Sequence, residues 1–338
     1  MAATRKSRAY EQGAILLAKF AVVAAIIWLI ARSLDIGAAI ANLRSLSPLV
    51  VVAVLALFFV QQAIAALRLR YVLPMFGQKL PFGATLCITM VGNFFGQTFV
   101  SFLGGDASRF WEMRQRGIPL RDAGKAVLLD RLLGLIGAHL LIVGLLPWTL
   151  GAIDDEAMRG GLVLVVVGGL AAIIAVCAAG FLRGAGGWLP VGLREHALFG
   201  LMLDLATVAR VMFAHLRLAA LSLLTSLAIG AINVVIVYVF LADLGAPVTL
   251  FGCFLVVPVV MELAMLPVSI AGWGVREGLM VAAFATLGIA GEDALGASIL
   301  FGLTGLAFSL TGGTLWLATR RGAGGRRTAD IGRGGTGS

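Results

Sequence analysis

Val100-Ser101-Phe102-Leu103-Gly104-Gly105-Asp106-Ala107-Ser108-Arg109, followed by Gly117-Ile118 and Asp122-Ala123, is one of two matching stretches in this 338-residue chain. Its counterpart is Val268-Ser269-Ile270-Ala271-Gly272-Trp273-Gly274-Val275-Arg276, followed by Gly288-Ile289 and Asp293-Ala294. Each copy sets a glycine-rich break and an arginine inside an otherwise apolar run. Membrane chains that break a hydrophobic segment at corresponding places in their two halves build sites near the bilayer midplane. The pair therefore predicts an all-α polytopic membrane protein made of two related halves.

Composition agrees. The chain is 60% hydrophobic and 13% charged, against roughly 25% charged in a soluble domain. Several apolar runs reach the roughly 20 residues that a helix needs to cross the hydrocarbon core. Strand-like alternation is absent, which argues against a β-barrel. The formal charge of +9 sits mostly in loops and tails, where it reads as a topology signal rather than as a nucleic-acid surface. Cys87, Cys177 and Cys253 lie in apolar runs without a CxxC or a histidine at metal spacing, and His139, His196 and His215 are scattered. Neither a metal nor another cofactor is expected. The apolar stretch 14–31 is too long for a signal-peptide core and reads as a first membrane helix.

Full spans are expected near 14–33, 47–67, 124–148, 161–181, 218–242 and 294–318. Two further apolar segments, 82–103 and 249–271, run into the repeated breaks. Basic residues crowd 68–80 (Arg68, Arg70, Lys79), 104–126, the 182–217 linker and the tail, whereas 149–160 carries Asp154, Asp155 and Glu156. The positive-inside rule then places both termini in the cytoplasm. Residues 82–116 must enter and leave on the inner face, and 249–290 on the outer face. The expected plan is six spans plus two re-entrant broken hairpins in an inverted-topology repeat; a plain eight-span chain is the alternative. Its parts are a cytoplasmic N-terminus 1–13, a first half 14–148, an external acidic loop 149–160 and a second half 161–318. The second half contains an amphipathic cytoplasmic linker, 182–217, and a basic disordered tail 319–338 follows.

Broken helices free backbone groups that only protein or water can satisfy in a membrane. Gly104, Gly105, Gly272 and Gly274, with Pro267, are the hinge candidates. The helix after each break aims its positive end inward, a ready anion site, and Arg109 and Arg276 sit one turn into those helices. Arg matches phosphate geometry. Ionisable groups at bilayer depth cost roughly 2.5–3.5 kcal/mol on insertion scales, so they mark function or a bound partner. Asp106 and Glu277 are the natural partners of the two arginines. Asp106 reads equally as a helix cap, and Arg109 equally as a charge that reaches for the surface. A turn-locking bridge to Glu277 is the structural alternative for Arg276. Glu262, inside an apolar run, reads as a proton carrier or an arginine partner. Asn93, Gln97, Ser101 and Ser269 either line a polar path or bond between helices. Asp130 and Arg131 read as a structural pair.

Several of these residues form an ordered series: Arg68-x-Arg70, Gly92-x-Phe94, Gly104-Gly105-Asp106-x-x-Arg109, Asp130-Arg131-x-x-Gly134, and Leu266-Pro267-x-Ser269-x-x-Gly272-x-Gly274-x-Arg276-Glu277. The series resembles the flippase-like family, also called the lysylphosphatidylglycerol synthase transmembrane region family. That family includes the membrane half of the bacterial multiple peptide resistance factor. The similarity covers roughly residues 15–318. It implies a bacterial inner-membrane location and a part in lipid translocation. In the multiple peptide resistance factor a separate soluble domain makes the aminoacylated lipid. This chain ends soon after its last span, so synthase activity is not expected of it. The second copy carries Trp273 in the glycine-rich turn, and the first lacks a proline equivalent to Pro267.

The expected function is movement of an anionic lipid headgroup between leaflets by alternating access. Arg109 and Arg276 would bind phosphate from the two sides, and a lipid-synthesis enzyme is a conceivable partner. No nucleotide-binding Gly-x-x-x-x-Gly-Lys motif occurs. The rival readings are a membrane enzyme acting on a lipid or polyprenyl-linked substrate, for which no catalytic constellation is visible, and an accessory subunit of envelope lipid synthesis.

Overall fold

A computed structural model describes residues 46–98, 104–182, 197–265 and 274–333. The first expected span, 14–33, lies outside the described residues. So do Ser101, Pro267, Ser269 and Gly272. The described chain is helical, with no strand among the described residues.

In chain order the helices are α1 (Pro48–Val72), α2 (Phe82–Thr98), α3 (Gly104–Gln115), α4 (Leu120–Gly151), α5 (Glu156–Leu182), α6 (Ala197–Ala214), α7 (Leu216–Asp243), α8 (Leu250–Ala264), α9 (Val275–Ala285) and α10 (Gly291–Arg333). A 3-10 turn, Leu73–Phe76, extends α1. Five of these, within Pro48–Phe76, Leu120–Gly151, Glu156–Gly180, Leu216–Asp243 and Gly291–Ala318, are long and apolar enough to cross a membrane. Each coincides with an expected span. Helix α10 continues to Arg333, well into the stretch 319–338 expected to be disordered; once a long helix exists, each added residue costs little.

The two segments at the breaks are short. Helix α2 has 17 residues and α3 has 12; α8 has 15 and α9 has 11. At 1.5 Å per residue, α3 and α9 fall well below the ~30 Å of a hydrocarbon core. Helices α2 and α3 lie antiparallel. Arg116 Nη2 reaches Cys87 Sγ at 3.3 Å, Gly92 faces Arg109, and Gly96 meets Gly105, so one number rises as the other falls. Close approach demands the glycines: a Cβ on Gly105 would lie 2.7 Å from the Gly92 carbonyl oxygen. Helices α8 and α9 also pack together, with Gly252 near the start of one against Leu287 just past the end of the other.

The repeat is visible in the packing. Exchange α1 with α7, α2 with α8, α3 with α9 and α4 with α10, and the contacts among these eight helices map onto themselves. Contacts α2–α10 and α8–α4 correspond, as do α3–α4 and α9–α10, α1–α2 and α7–α8, and α1–α10 and α7–α4. The pair α1–α7 maps onto itself, and it runs antiparallel. Ser47 bonds to Asp243, Gln61 to Asn233 and Arg68 to Ser226. Two equivalent helices that meet antiparallel are related by a two-fold axis across their length, which is the inverted arrangement. Left-handed glycines fall at matched points, Gly77 with Gly245 (φ 73 and 78) and Gly117 with Gly288 (φ 84 and 72). Each ends a helix where a Cβ would be strained.

Between apolar helices in lipid, close packing replaces the hydrophobic effect as the cohesive term. Gly312 lies against the Met90 carbonyl, Gly137 against Ser226 and Gly180 against the α6 backbone. Helix α6 occupies the expected linker. It packs on α5 and α4, buries Val208 and Met212, and exposes Asp204 and Arg210.

Candidate functional site

Polar residues inside the bundle gather at the first copy of the repeat. Asp130, on α4, has no solvent exposure and is held by two arginines. Arg68 from α1 donates Nε to Oδ1 at 2.8 Å and Nη2 to Oδ2 at 3.2 Å. Arg109 from α3 places Nη2 2.9 Å from Oδ2. Arg68 Nη1 also donates to Ser226 Oγ at 3.1 Å. Arg131, the next residue on α4, turns away and donates Nε to Asp106 Oδ2. The expected Asp130–Arg131 pair is thus divided, because adjacent residues on a helix point about 100° apart. Nor does Asp106 hold Arg109. Asp106 sits in the first turn of α3 and reaches across to α4.

Glycines shape the arginine seats. A Cβ on Gly92 would overlap the Arg109 Cγ, and one on Gly134 would lie 3.2 Å from Arg68 Nη1. These positions let each guanidinium lie flat on a neighbouring helix. Arg68, Arg109 and Arg131 and the acids Asp106, Asp130 and Glu262 surround one space. The Arg109 Nε–H is buried without a hydrogen-bond acceptor.

These groups line two adjoining chambers of about 450 and 520 Å³, which share Arg68, Asp106, Arg109, Arg131 and Asn233. The smaller is floored by the first hairpin, with Asn93 and Gln97 on its wall, and reaches Ala264 and Met265 at the end of α8. Asn93 and Gln97 therefore face a polar space, as a polar path requires. Gln61 and Asn233, bonded to each other at 2.6 Å, complete that wall. Glu262 lines the larger chamber.

The second copy is built differently. Arg276 is 7% exposed and Glu277 5%. Arg276 Nη2 meets Glu277 Oε1 at 2.6 Å, its Nε donates to Ser298 Oγ at 3.1 Å, and its guanidinium carbon lies 5.5 Å from the Phe301 ring centre. The second Glu277 oxygen accepts from the Gly274 N–H at 2.5 Å, closing the start of α9. Carried across by the spacing that relates Asp122 to Asp293, Asp130 corresponds to Phe301 and Gly134 to Gly305. The first copy thus has an acid under its arginine where the second has an aromatic ring. Neither Arg276 nor Glu277 lines the two charged chambers. On its other face the second hairpin lines an apolar chamber of about 320 Å³ walled by Val256, Val259, Val260 and Leu263.

Arg68, His139, Gln61 and Asn233 were not singled out as site residues by the sequence. Arg68 entered as part of a basic loop and of the Arg68-x-Arg70 motif, and it lies within the α1 helix. His139 looked isolated. Its Nδ1 lies 2.9 Å from Glu262 Oε1 and its Nε2 3.0 Å from the Val166 carbonyl oxygen. Sequence distance hid the pair, since 123 residues separate its members. Of the hinge candidates, Gly104, Gly105 and Gly274 begin α3 or α9.

The family model of the lysylphosphatidylglycerol synthase transmembrane region matches residues 16–313. The chain belongs to that family and is a multi-pass membrane protein connected with lipid synthesis or flipping. No curated protein matches the chain.

Proposed function

We propose that this family member moves the headgroup of an anionic phospholipid across the membrane through the Arg68–Arg109 chambers. One observation carries the reading: Arg68, Arg109 and Arg131 line open space among apolar helices rather than packed core, and the Arg109 Nε–H has no acceptor. A donor left without an acceptor among apolar helices is costly, and a phosphate oxygen offsets that cost. Asp130 holds both guanidiniums in position while the site is empty. An incoming phosphate oxygen shares the Arg109 fork, including the Nε–H that lacks an acceptor. Asn93, Gln97, Gln61 and Asn233 offer hydrogen bonds to headgroup hydroxyls, and the acyl chains stay in the bilayer. The second copy serves as the closed counterpart, its arginine fixed by Glu277, Ser298 and Phe301. In this reading the protein is a transporter and not an enzyme. It sits in the bacterial inner membrane with both termini cytoplasmic.

The test is leaflet exchange in proteoliposomes carrying fluorescent phosphatidylglycerol or fluorescent phosphatidylcholine. Faster exchange of the anionic probe supports the reading. Equal exchange of both probes, or none, contradicts it, and formation of a new lipid product would favour an enzyme.

A further inference from the structure

His139 and Glu262 are joined across α4 and α8, and the chemistry of the two imidazole nitrogens fixes their proton count. The Val166 carbonyl can only accept, so Nε2 carries a hydrogen. The opposite nitrogen, Nδ1, faces Glu262 Oε1 at 2.9 Å. That contact needs one proton between the two atoms, carried by either. The unit therefore holds a single shared proton and is neutral overall. The second carboxylate oxygen, Oε2, is buried without a hydrogen-bond partner, on a residue that lines the larger charged chamber. A second proton on Oε2 gives a protonated acid beside an imidazolium, and the unit becomes a cation.

The seat is built for an imidazole. His139 is 1% exposed. A Cβ on Gly169 of α5 would lie 2.9 Å from Nδ1, so the helix crossing above the ring has room only for glycine.

The other charged groups around the pair are few. Arg68, Asp106, Arg109, Asp130 and Arg131 share its chamber. Helix α9, packed on α8, offers Arg276 and Glu277, which bond to each other. Helix α5 carries Glu156 and Arg159 more than two turns from Gly169. Helix α6 carries Asp204 and Arg210, both exposed. Helix α7 carries Arg217 and Asp243 at its ends, the latter bonded to Ser47, and His215 beside it bonds to Val211. The first-copy arginines and acids are thus the charges that the pair senses through the chamber.

We infer that His139 and Glu262 form a proton site that takes up one additional proton when an anion occupies the Arg68–Arg109 chambers. Headgroup passage is thereby coupled to proton movement. This rests on the anionic-headgroup reading above. The physical link is reciprocal: an anion in the chamber favours the cationic form of the pair, and the cationic form favours the anion. On release of the anion the extra proton leaves Oε2.

The test uses the purified full chain in detergent and a short-chain phosphatidylglycerol below its micelle concentration. This phosphodiester keeps one negative charge across roughly pH 5–8, the range in which histidine-linked sites commonly titrate. For the unaltered chain, Kd should fall as pH falls, by up to about tenfold per pH unit for one linked proton. Glu262→Gln should bind with a Kd that no longer depends on pH. A second measurement needs no variant: proton uptake on anion binding in weakly buffered solution, expected near one proton per anion. A pH-independent Kd with no proton uptake overturns the proton site and leaves the anion site standing. A pH slope retained in Glu262→Gln also overturns it. No binding at any pH overturns both.

Discussion

Arg109 and Arg276 occupy matching sequence positions, yet their surroundings give them different work. Arg109 shares a buried aspartate with Arg68 and keeps an unaccepted N–H beside open space. Arg276 is bonded to Glu277 and Ser298 and lies over Phe301. Removing Asp130 should therefore hurt the fold more than removing Arg109. Asp130→Asn leaves two largely enclosed guanidiniums without their buried carboxylate, and a loss of about 3 kcal/mol is expected. Arg109→Gln leaves Asp130 with its two bonds to Arg68, and the fold should survive. Thermal unfolding in detergent compares the two; an Asp130→Asn variant as stable as Arg109→Gln would contradict the assignment. Gly92→Ala would press on Arg109, at an overpacking cost of about 1–3 kcal/mol, and should slow anionic exchange roughly tenfold or more in the proteoliposome assay. The sequence pointed to Arg109, Asp106 and Glu262 by the rarity of charge in apolar runs. Their partners escaped it, because a one-dimensional reading pairs Asp130 with its neighbour Arg131. In three dimensions Arg68 is 62 residues away and His139 is 123 residues from Glu262.

At the scale of elements, the breaks were legible. Glycine-rich breaks inside apolar runs and the opposite charge bias of their flanks predicted two short antiparallel pairs, and α2–α3 and α8–α9 are short and packed in pairs. The asymmetry between them was not legible. It depends on what lies beneath each arginine in space, Asp130 under Arg109 and Phe301 under Arg276. The same repeated letters around Gly117 and Gly288 proved to be helix ends, both left-handed. If the hairpins open to opposite faces, single cysteines at Gln115 and Ala290 should differ in access. An impermeant thiol reagent should reach position 115 from the cytoplasmic side and position 290 from the external side. Labelling of both from one side would remove the re-entrant plan and favour eight ordinary spans.

For the whole molecule, one inverted architecture holds, among the described residues, two adjoining charged chambers that its first copy largely lines. The α1–α7 pair lies on the two-fold relation, with Gln61–Asn233 near its middle and Arg68–Ser226 beside the charged chambers. The duplicated scaffold supplies two hairpins, and divergence has set the arginine of one beside open space and that of the other in a packed ion pair. Which half does the chemistry is therefore the central claim. It is tested by leaflet exchange of fluorescent phosphatidylglycerol in proteoliposomes, comparing Arg109→Gln with the charge-neutral double variant Arg276→Gln/Glu277→Gln. The account predicts that Arg109→Gln abolishes exchange while the folded double variant retains most of it. Full exchange by Arg109→Gln would contradict it.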